Sequence, residues 1–259
     1  MSASRRDRIW GLIVSQAAGR GRPVSAGDAC VAAAAATGAT GAWLTAARDA
    51  EAGHLMRVTD KLSEQLAELQ LILGEGPSLD ATASGGPVLA SDLDAAEDRR
   101  RWPAFAPAAG RAGAAAVFAF PLLIGAIRAG VLTLYRNQPG PLSAFQLGDA
   151  LVFADAATVL LLDAQNHADG TSADGNSADG NGGPAAAPGG QPADLARHRA
   201  EVDQATGMLT EQLGVGIADA FIRLRAYAYA RDLRLTDVAR DIVARRLRLS
   251  SDPGSGSGW

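Results

Sequence analysis

The sequence predicts an α+β protein in two parts: an antiparallel sheet with flanking helices, joined by a flexible linker to a small all-α bundle of three helices. Three observations carry this. Up to residue 163, helix-period stretches alternate with short continuous apolar runs. Residues 164–193 then hold almost no large apolar side chain, and three amphipathic segments of period 3.6 follow. The chain has 259 residues, room for two modest domains, and 47% of them are hydrophobic, enough for a core in each.

Residues 5–19 read as a basic surface helix, closed by the breaker cluster Gly19-Arg-Gly-Arg-Pro23. The alanine-rich stretch 28–36 reads as a second helix with Ser25 or Asp28 near its N-cap, ended by Gly38 and Gly41. Residues 42–47, with Trp43 and Leu44, and 54–58 read as short strands about a turn at Gly53. In 61–73, Leu62, Leu66, Leu69 and Leu73 recur at helical spacing, so this helix buries a leucine face. Gly74-Glu-Gly-Pro-Ser78 cannot continue it. Residues 87–90 read as a brief buried strand, and 92–105 as a loop with a charged stretch at 98–101. The runs 114–123 and 129–135, joined by Gly125-Ala-Ile-Arg128, predict adjacent antiparallel strands. Ser143 then N-caps a helix over 144–163.

Past this point the repeat Ser172-Ala-Asp-Gly-Asn176, Ser177-Ala-Asp-Gly-Asn181 cannot offset its chain entropy by burial. A disordered tether with a reach of ~30 Å is expected. Pro192-Ala-Asp194 opens the last part, with Asp194 as N-cap, and the tail 250–259 is Gly/Ser-rich.

Formal net charge is −4, unevenly spread. Residues 194–249 hold ten arginines against eight acids, a net of +2, which leaves the rest of the chain at −6. That asymmetry has the sign nucleic-acid binding needs. Of the 24 basic residues only Lys61 is a lysine, which fits either genomic base composition or arginine's forked geometry for phosphate. The single cysteine, Cys30, excludes an internal disulfide and a multi-cysteine metal site. His54, His167 and His198 have no ligand spacing, so no metal is expected. Ser4-Arg5-Arg6 precedes an apolar segment, 9–14, too short for an export signal's ~7 to 15 residues. The apolar run 112–127 falls short of the ~20 residues that span a bilayer. A cytoplasmic protein with no membrane segment is the expectation.

No catalytic constellation emerges. Ser78-Leu-Asp80 lacks a general base, so Ser78 reads as a turn serine. Gly74-x-Gly76 follows a helix and has a proline where a phosphate loop needs lysine, which makes it a turn. Cys30, among alanines, reads as a small core residue. A sheet face bearing Trp43, Phe118 and Phe120, together with Trp102 from the 92–105 loop, is the candidate ligand pocket. It holds either a small molecule bound by apolar contacts or a packed core with no ligand; no cofactor is assigned.

The C-terminal segments carry more. Val202, Ala205, Leu209 and Leu213 form one stripe, with Gly207 allowing close helix packing. Ala220, Leu224 and Ala228 form a second stripe, and Val238 and Ile242 a third on a helix N-capped by Thr236. The bundle has a basic, tyrosine-bearing surface. Tyr227 and Tyr229 suit stacking on unpaired bases, and Arg225, Arg231 and Arg240 suit phosphates. The competing reading makes Tyr227 partly buried core and the arginines a solvated face.

Two resemblances rest on these residues. The order of elements over 25–163, with Leu73-Gly-Glu-Gly-Pro77, Gly86-Pro-Val-Leu89, Asp92-Leu93, Trp102-Pro103, Phe120-Pro-Leu-Leu-Ile-Gly125 and Gly130-Val-Leu-Thr-Leu-Tyr135, resembles a GAF domain, a sensory fold. Residues 194–249 resemble the ANTAR family through Ala205, Gly207, Met208, Leu209, Ala220, Leu224, Arg225, Tyr227, Ala228, Leu235, Val238 and Ala239; Thr206 and Thr210 depart from it. The resemblance implies a signal-responsive antiterminator that binds paired hairpins in nascent mRNA. Its RNA-binding candidates are Gly207, Met208, Arg225, Tyr227, Tyr229, Arg231 and Arg240. The expected domains are a basic helix (1–24), a GAF-like sensor (25–163), a linker (164–193), an ANTAR-like domain (194–249) and a tail (250–259). A homodimer, a small-molecule signal and RNA are the expected partners. The alternative is a sensing or protein-interaction module whose helical domain only dimerises; duplex DNA binding and an enzyme are less favoured by the composition. Because a flexible tether carries no torque, control is expected through occlusion or dimerisation.

Overall fold

Side chains alternate across a strand, so cross-strand register decides which residues share a face. Among the described residues, five antiparallel strands form one sheet in the order β2-β1-β5-β4-β3. They are β1 (Gly41–Arg48), β2 (Glu51–Val58), β3 (Val88–Ala90), β4 (Ala116–Ile124) and β5 (Ile127–Arg136). This computed structural model describes residues 4–18, 21, 23–48, 51–125, 127–173, 191–231 and 233–249. The register sets Trp43 beside Thr133 and Thr133 beside Ala119, whereas Leu44, Leu132 and Phe120 line up one residue away, as do Ala42, Leu134 and Phe118. Each set therefore lies on its own side of the sheet.

Both sides are covered, which is why the strands read as continuous apolar runs. On one side α1 (Arg5–Ala17), α2 (Ala26–Thr37) and α7 (Ala144–Ala173) enclose Leu44, Phe118, Phe120, Leu132 and Phe153. On the other, α3 (Lys61–Leu73), α4 (Pro77–Ser84) and α6 (Phe105–Ala112) enclose Trp43, Val117, Val131, Trp102 and Phe105. The short α5 (Ala96–Arg101) leads into α6, and α8 (Gln191–Leu213), α9 (Ile217–Ala230) and α10 (Leu235–Val243) form the C-terminal bundle. The expected fold class, a flanked antiparallel sheet followed by a small helical bundle, is the one the chain adopts.

The first helix, whose partner the sequence left open, lies against α2 and α7 through Ile9, Ile13 and Ala17. Its Arg5 and Arg8 both reach the fully buried carboxylate of Asp149 on α7. The apolar part of α7, residues 144–164, is long enough to cross a membrane, yet Ala150, Phe153, Ala154, Ala157 and Leu161 are buried in the core beside α2 and β4.

Helix α4 stands where turns were expected; α5 lies inside the expected 92–105 loop, and α6, which begins at the last residue of that loop, is a helix that the element order called for before the two long strands but that was given no residues. Helices α4 and α6 each have only eight residues and show too few apolar positions for a period to register. Both depend on the Gly74–Pro77 corner instead. Gly74 (φ 69°) ends α3, Gly76 (φ 134°) turns the chain, and Pro77 starts α4 with its φ preset. Between the glycines, Glu75 Oε1 accepts from the backbone N–H groups of Ala104 and Phe105, both at 2.6 Å, and so caps α6. Ser78 is thus a residue of the first turn of a helix rather than of a loop; it is buried, and its Oγ lies 2.9 Å from Thr133 Oγ1. Cys30 is core, and burial pushes its thiol up to about 12.

The ends of the expected linker are helical. α7 continues ten residues past 163, and α8 begins at Gln191, which puts Asp194 inside the helix rather than at its cap. Residues 174–190 and the tail 250–259 lie outside the described residues.

One carboxylate fastens α3 to the sheet. Asp60, its N-cap, accepts from Ser63 N (2.9 Å), Ser63 Oγ (2.8 Å), Thr59 Oγ1 (2.7 Å) and Tyr135 Oη on β5 (3.0 Å). Burial, the largest single influence, acts to raise its pKa, but the hydrogen bonds together outweigh it and hold Asp60 below the usual carboxylate value. The same environment raises the Tyr135 phenol, by burial first and then by the Asp60 charge.

Two outcomes are expected. Replacing Arg5 and Arg8 together with Ala leaves Asp149 buried without a cation and costs about 3 kcal/mol, read as a lower urea midpoint at unchanged slope. Because the folded pKa of Asp60 is depressed, its contribution is present above the ordinary carboxylate range and is lost as pH falls through the folded value. Stability should therefore drop below roughly pH 4 in the wild type. Asp60→Asn should be less stable at pH 7 with a flatter acid limb; parallel limbs in the two proteins would remove Asp60 from this account.

Candidate nucleic-acid interface

The bundle forms because three apolar stripes meet. Ala205 and Leu209 of α8, Ala220, Leu224 and Ala228 of α9, and Leu235, Val238, Ala239 and Ile242 of α10 are buried together. Val202, Leu213 and Leu247 pack at the edge. Gly214 (φ 63°) ends α8, and Gln212 Nε2 donates to Leu249 O at 2.6 Å, which ties the end of the described chain back to α8.

The sequence-predicted site residues do not share one surface. Gly207 is exposed with open space around its Cα, so it does not serve the close packing expected of it. Met208 packs against the bundle core. Tyr227 is partly buried, and the exposed Arg231 one turn later lies over its ring, 3.9 Å from the centroid. Tyr229 stands out from the surface, 62% exposed. With Ile222 (56%) and Ala226 it makes an exposed i, i+4, i+7 stripe along α9, whose apolar part sequence reasoning passed over. Arg240 is exposed but engaged: its Nη2 lies 3.3 Å from Glu201 of α8 and its Nη1 3.1 Å from Asp237. The hydrogen bond and charge of Glu201, then those of Asp237, raise it above its usual value. Thr206, one of the departures in α8, turns inward and donates to Val202 O at 2.8 Å; Thr210 does the same to Thr206 O at 3.0 Å.

Arg225 faces the sheet domain. Its Nε donates to Ile72 O, 3.0 Å away, among the last carbonyls of α3, and its guanidinium lies over Phe221. No carboxylate pairs with it among the described residues. Burial lowers its pKa. Arg234, which sequence reasoning missed, lies at the same junction: its Nη2 meets Glu64 Oε1 at 3.2 Å and its Nε meets Glu68 Oε2 at 3.1 Å, both on α3. Burial alone would lower Arg234, but Glu68 and Glu64 outweigh it and raise it. The i, i+4 pair of glutamates was visible in the sequence; that an arginine 166 residues beyond Glu68 and 170 beyond Glu64 meets them was not.

The cap of α10 was also misplaced. Arg234, not Thr236, is the N-cap, and no side chain of α10 supplies an acceptor. Glu68 Oε1 of α3 accepts from Leu235 N at 2.8 Å instead, so the cap comes from another domain.

The candidate ligand pocket is likewise divided. Trp43 and Trp102 lie in the core beneath α3, α4 and α6, while Phe118 and Phe120 lie across the sheet beneath α2 and α7. All four are buried at 1% exposure or less. No group of three or more potential metal-binding side chains occurs among the described residues.

The molecule is thus a flanked antiparallel α+β domain carrying a three-helix module, and comparison with known proteins gives each part a likeness. Residues 194–243 match the ANTAR domain family. Among solved structures, the chain is similar to the GAF domain of a phosphoenolpyruvate-protein phosphotransferase from Coxiella burnetii, at 15% identity over 64% of this chain and 99% of that one, TM-score 0.49. The corresponding Acinetobacter GAF domain gives 17% identity, 66% and 99% coverage and a TM-score of 0.47. The second GAF domain of DevS from Mycobacterium smegmatis gives 21%, 54% and 93%, and 0.40. No curated protein matches the chain.

Because Thr236 is not the cap, Thr236→Ala should cost less than ~0.5 kcal/mol in chemical denaturation, below the ~1 kcal/mol of a lost N-cap. A loss of an N-cap's size would restore Thr236 to that role.

Proposed function

We propose that this protein is a signal-responsive, RNA-binding transcription antiterminator, in which the ANTAR module binds paired hairpins of nascent mRNA under control of the GAF-like domain. The observation that carries the reading is the ANTAR match over residues 194–243, which spans most of the three-helix bundle. The surface is compatible with it. Tyr229 offers an exposed ring for an unstacked base, and Tyr227 with Arg231 offers a stacked ring and cation beside it. Acting as a cytoplasmic homodimer, the protein would set two modules on two hairpins, and weak contacts would gain from effective concentration. A small molecule sensed by the sheet domain is the signal in this reading, and regulation rather than catalysis is the task.

The exposed Ile222, Ala226 and Tyr229 stripe favours a second reading, in which the helical module only dimerises. RNA separates them. Filter retention of a two-hairpin RNA recovered from cells by crosslinking should fall steeply with salt. Tyr229→Ala should weaken retention roughly 5- to 150-fold, as loss of one base stack does. Arg231→Ala should lower the salt slope by about one. Retention at no salt concentration, with a dimer that Ile222→Asp dissociates, would leave the second reading standing.

A further inference from the structure

Helix α3 belongs to the sheet domain, yet it is built into the helical module. Its last carbonyls receive Arg225, its Glu68 caps α10, Glu64 and Glu68 hold Arg234, and Leu71 and Ile72 join the apolar edge of the bundle. α8 runs beside the edge strand β2 as well. The caps are reciprocal: a cation of the module sits at the C-terminal end of α3, and a carboxylate of α3 sits at the N-terminal end of α10, each matching the dipole it meets.

From this we infer that α3 is an inhibitory docking platform, which withdraws Arg225 and the α9–α10 junction from RNA until the module is released. The inference rests on the RNA-binding reading above and specifies its regulation. Arg225 is the group with most to gain from release. Docked, its guanidinium is half-removed from water with a backbone carbonyl and a ring as its partners; a phosphate would offer a full charge and two oxygens to its fork. The same guanidinium cannot occupy both seats, so RNA and α3 compete. The clamp is also weak enough to open: Arg234 is 49% exposed, and its pairs with Glu64 and Glu68 gain only modestly in water.

The test uses the full chain with Glu64→Ala and Glu68→Ala combined. A control combines Glu97→Ala and Asp155→Ala, two exposed acids away from the junction, and so makes the same change in net charge. Circular dichroism confirms that all three proteins are folded. Hydrogen exchange at Leu235 N–H and the first turn of α10 should accelerate in the first variant alone. That variant should bind the two-hairpin RNA at least tenfold more tightly than the wild type, with the control within threefold; a tenfold gain means a module docked ~90% of the time. Unchanged exchange would overturn the clamp. Accelerated exchange with affinity equal to the control's would overturn the inhibition. Accelerated exchange with no RNA bound by any of the three proteins would overturn the RNA-binding reading, and the inhibition with it, while leaving the docking in place.

Discussion

The carboxylate of Asp60 governs where everything on one side of the sheet can be. Its four acceptor bonds start α3 at a fixed point over β5, and α3 in turn sets the Gly74–Pro77 corner from which α4 departs and from which Glu75 caps α6. A helix start held by a charged acceptor is positioned more sharply than one held by apolar contact, which tolerates sliding. The helical cover of Trp43, Val117 and Val131 inherits that position. So does the module beyond, because its Arg225 and Arg234 are seated on the same helix.

Much of this was legible in the sequence. Helix α3 was readable residue for residue from its leucine spacing, and the central strands from their apolar runs. Local period reports one element at a time, however, and the errors are those of relations between elements. Trp43 and Phe118 both read as sheet aromatics; only the register, with Trp43 beside Thr133 and Phe118 beside Leu134, puts them on opposite sides. Helices α4 and α6 are too short to show a period and take their ends from a glycine corner and a distant glutamate. Thr236 was the best local cap for α10, yet Glu68 serves from far away in the chain.

The candidate nucleic-acid surface shows the same limit. Residue type singled out arginines and tyrosines, but not how each is occupied. Arg240 is held by two acids, Arg231 stacks on Tyr227, Arg225 is turned into the other domain, and Tyr229 projects into solvent. Along α9 the exposed stripe is Ile222, Ala226 and Tyr229, with Arg223 exposed beside it, and Arg245 and Arg248 are exposed beyond α10.

Gly74 ends α3 in a left-handed conformation, and the space a Cβ would fill there is taken by the Arg225 guanidinium. The corner that organises the helices over one face of the sheet and the socket for the module's arginine are therefore the same few residues. Strain introduced on that face need not travel along the chain through residues 174–190 to reach the module. The two parts also meet directly, where Arg225 donates to Ile72 O, Glu68 accepts from Leu235 N, and Arg234 pairs with Glu64 and Glu68.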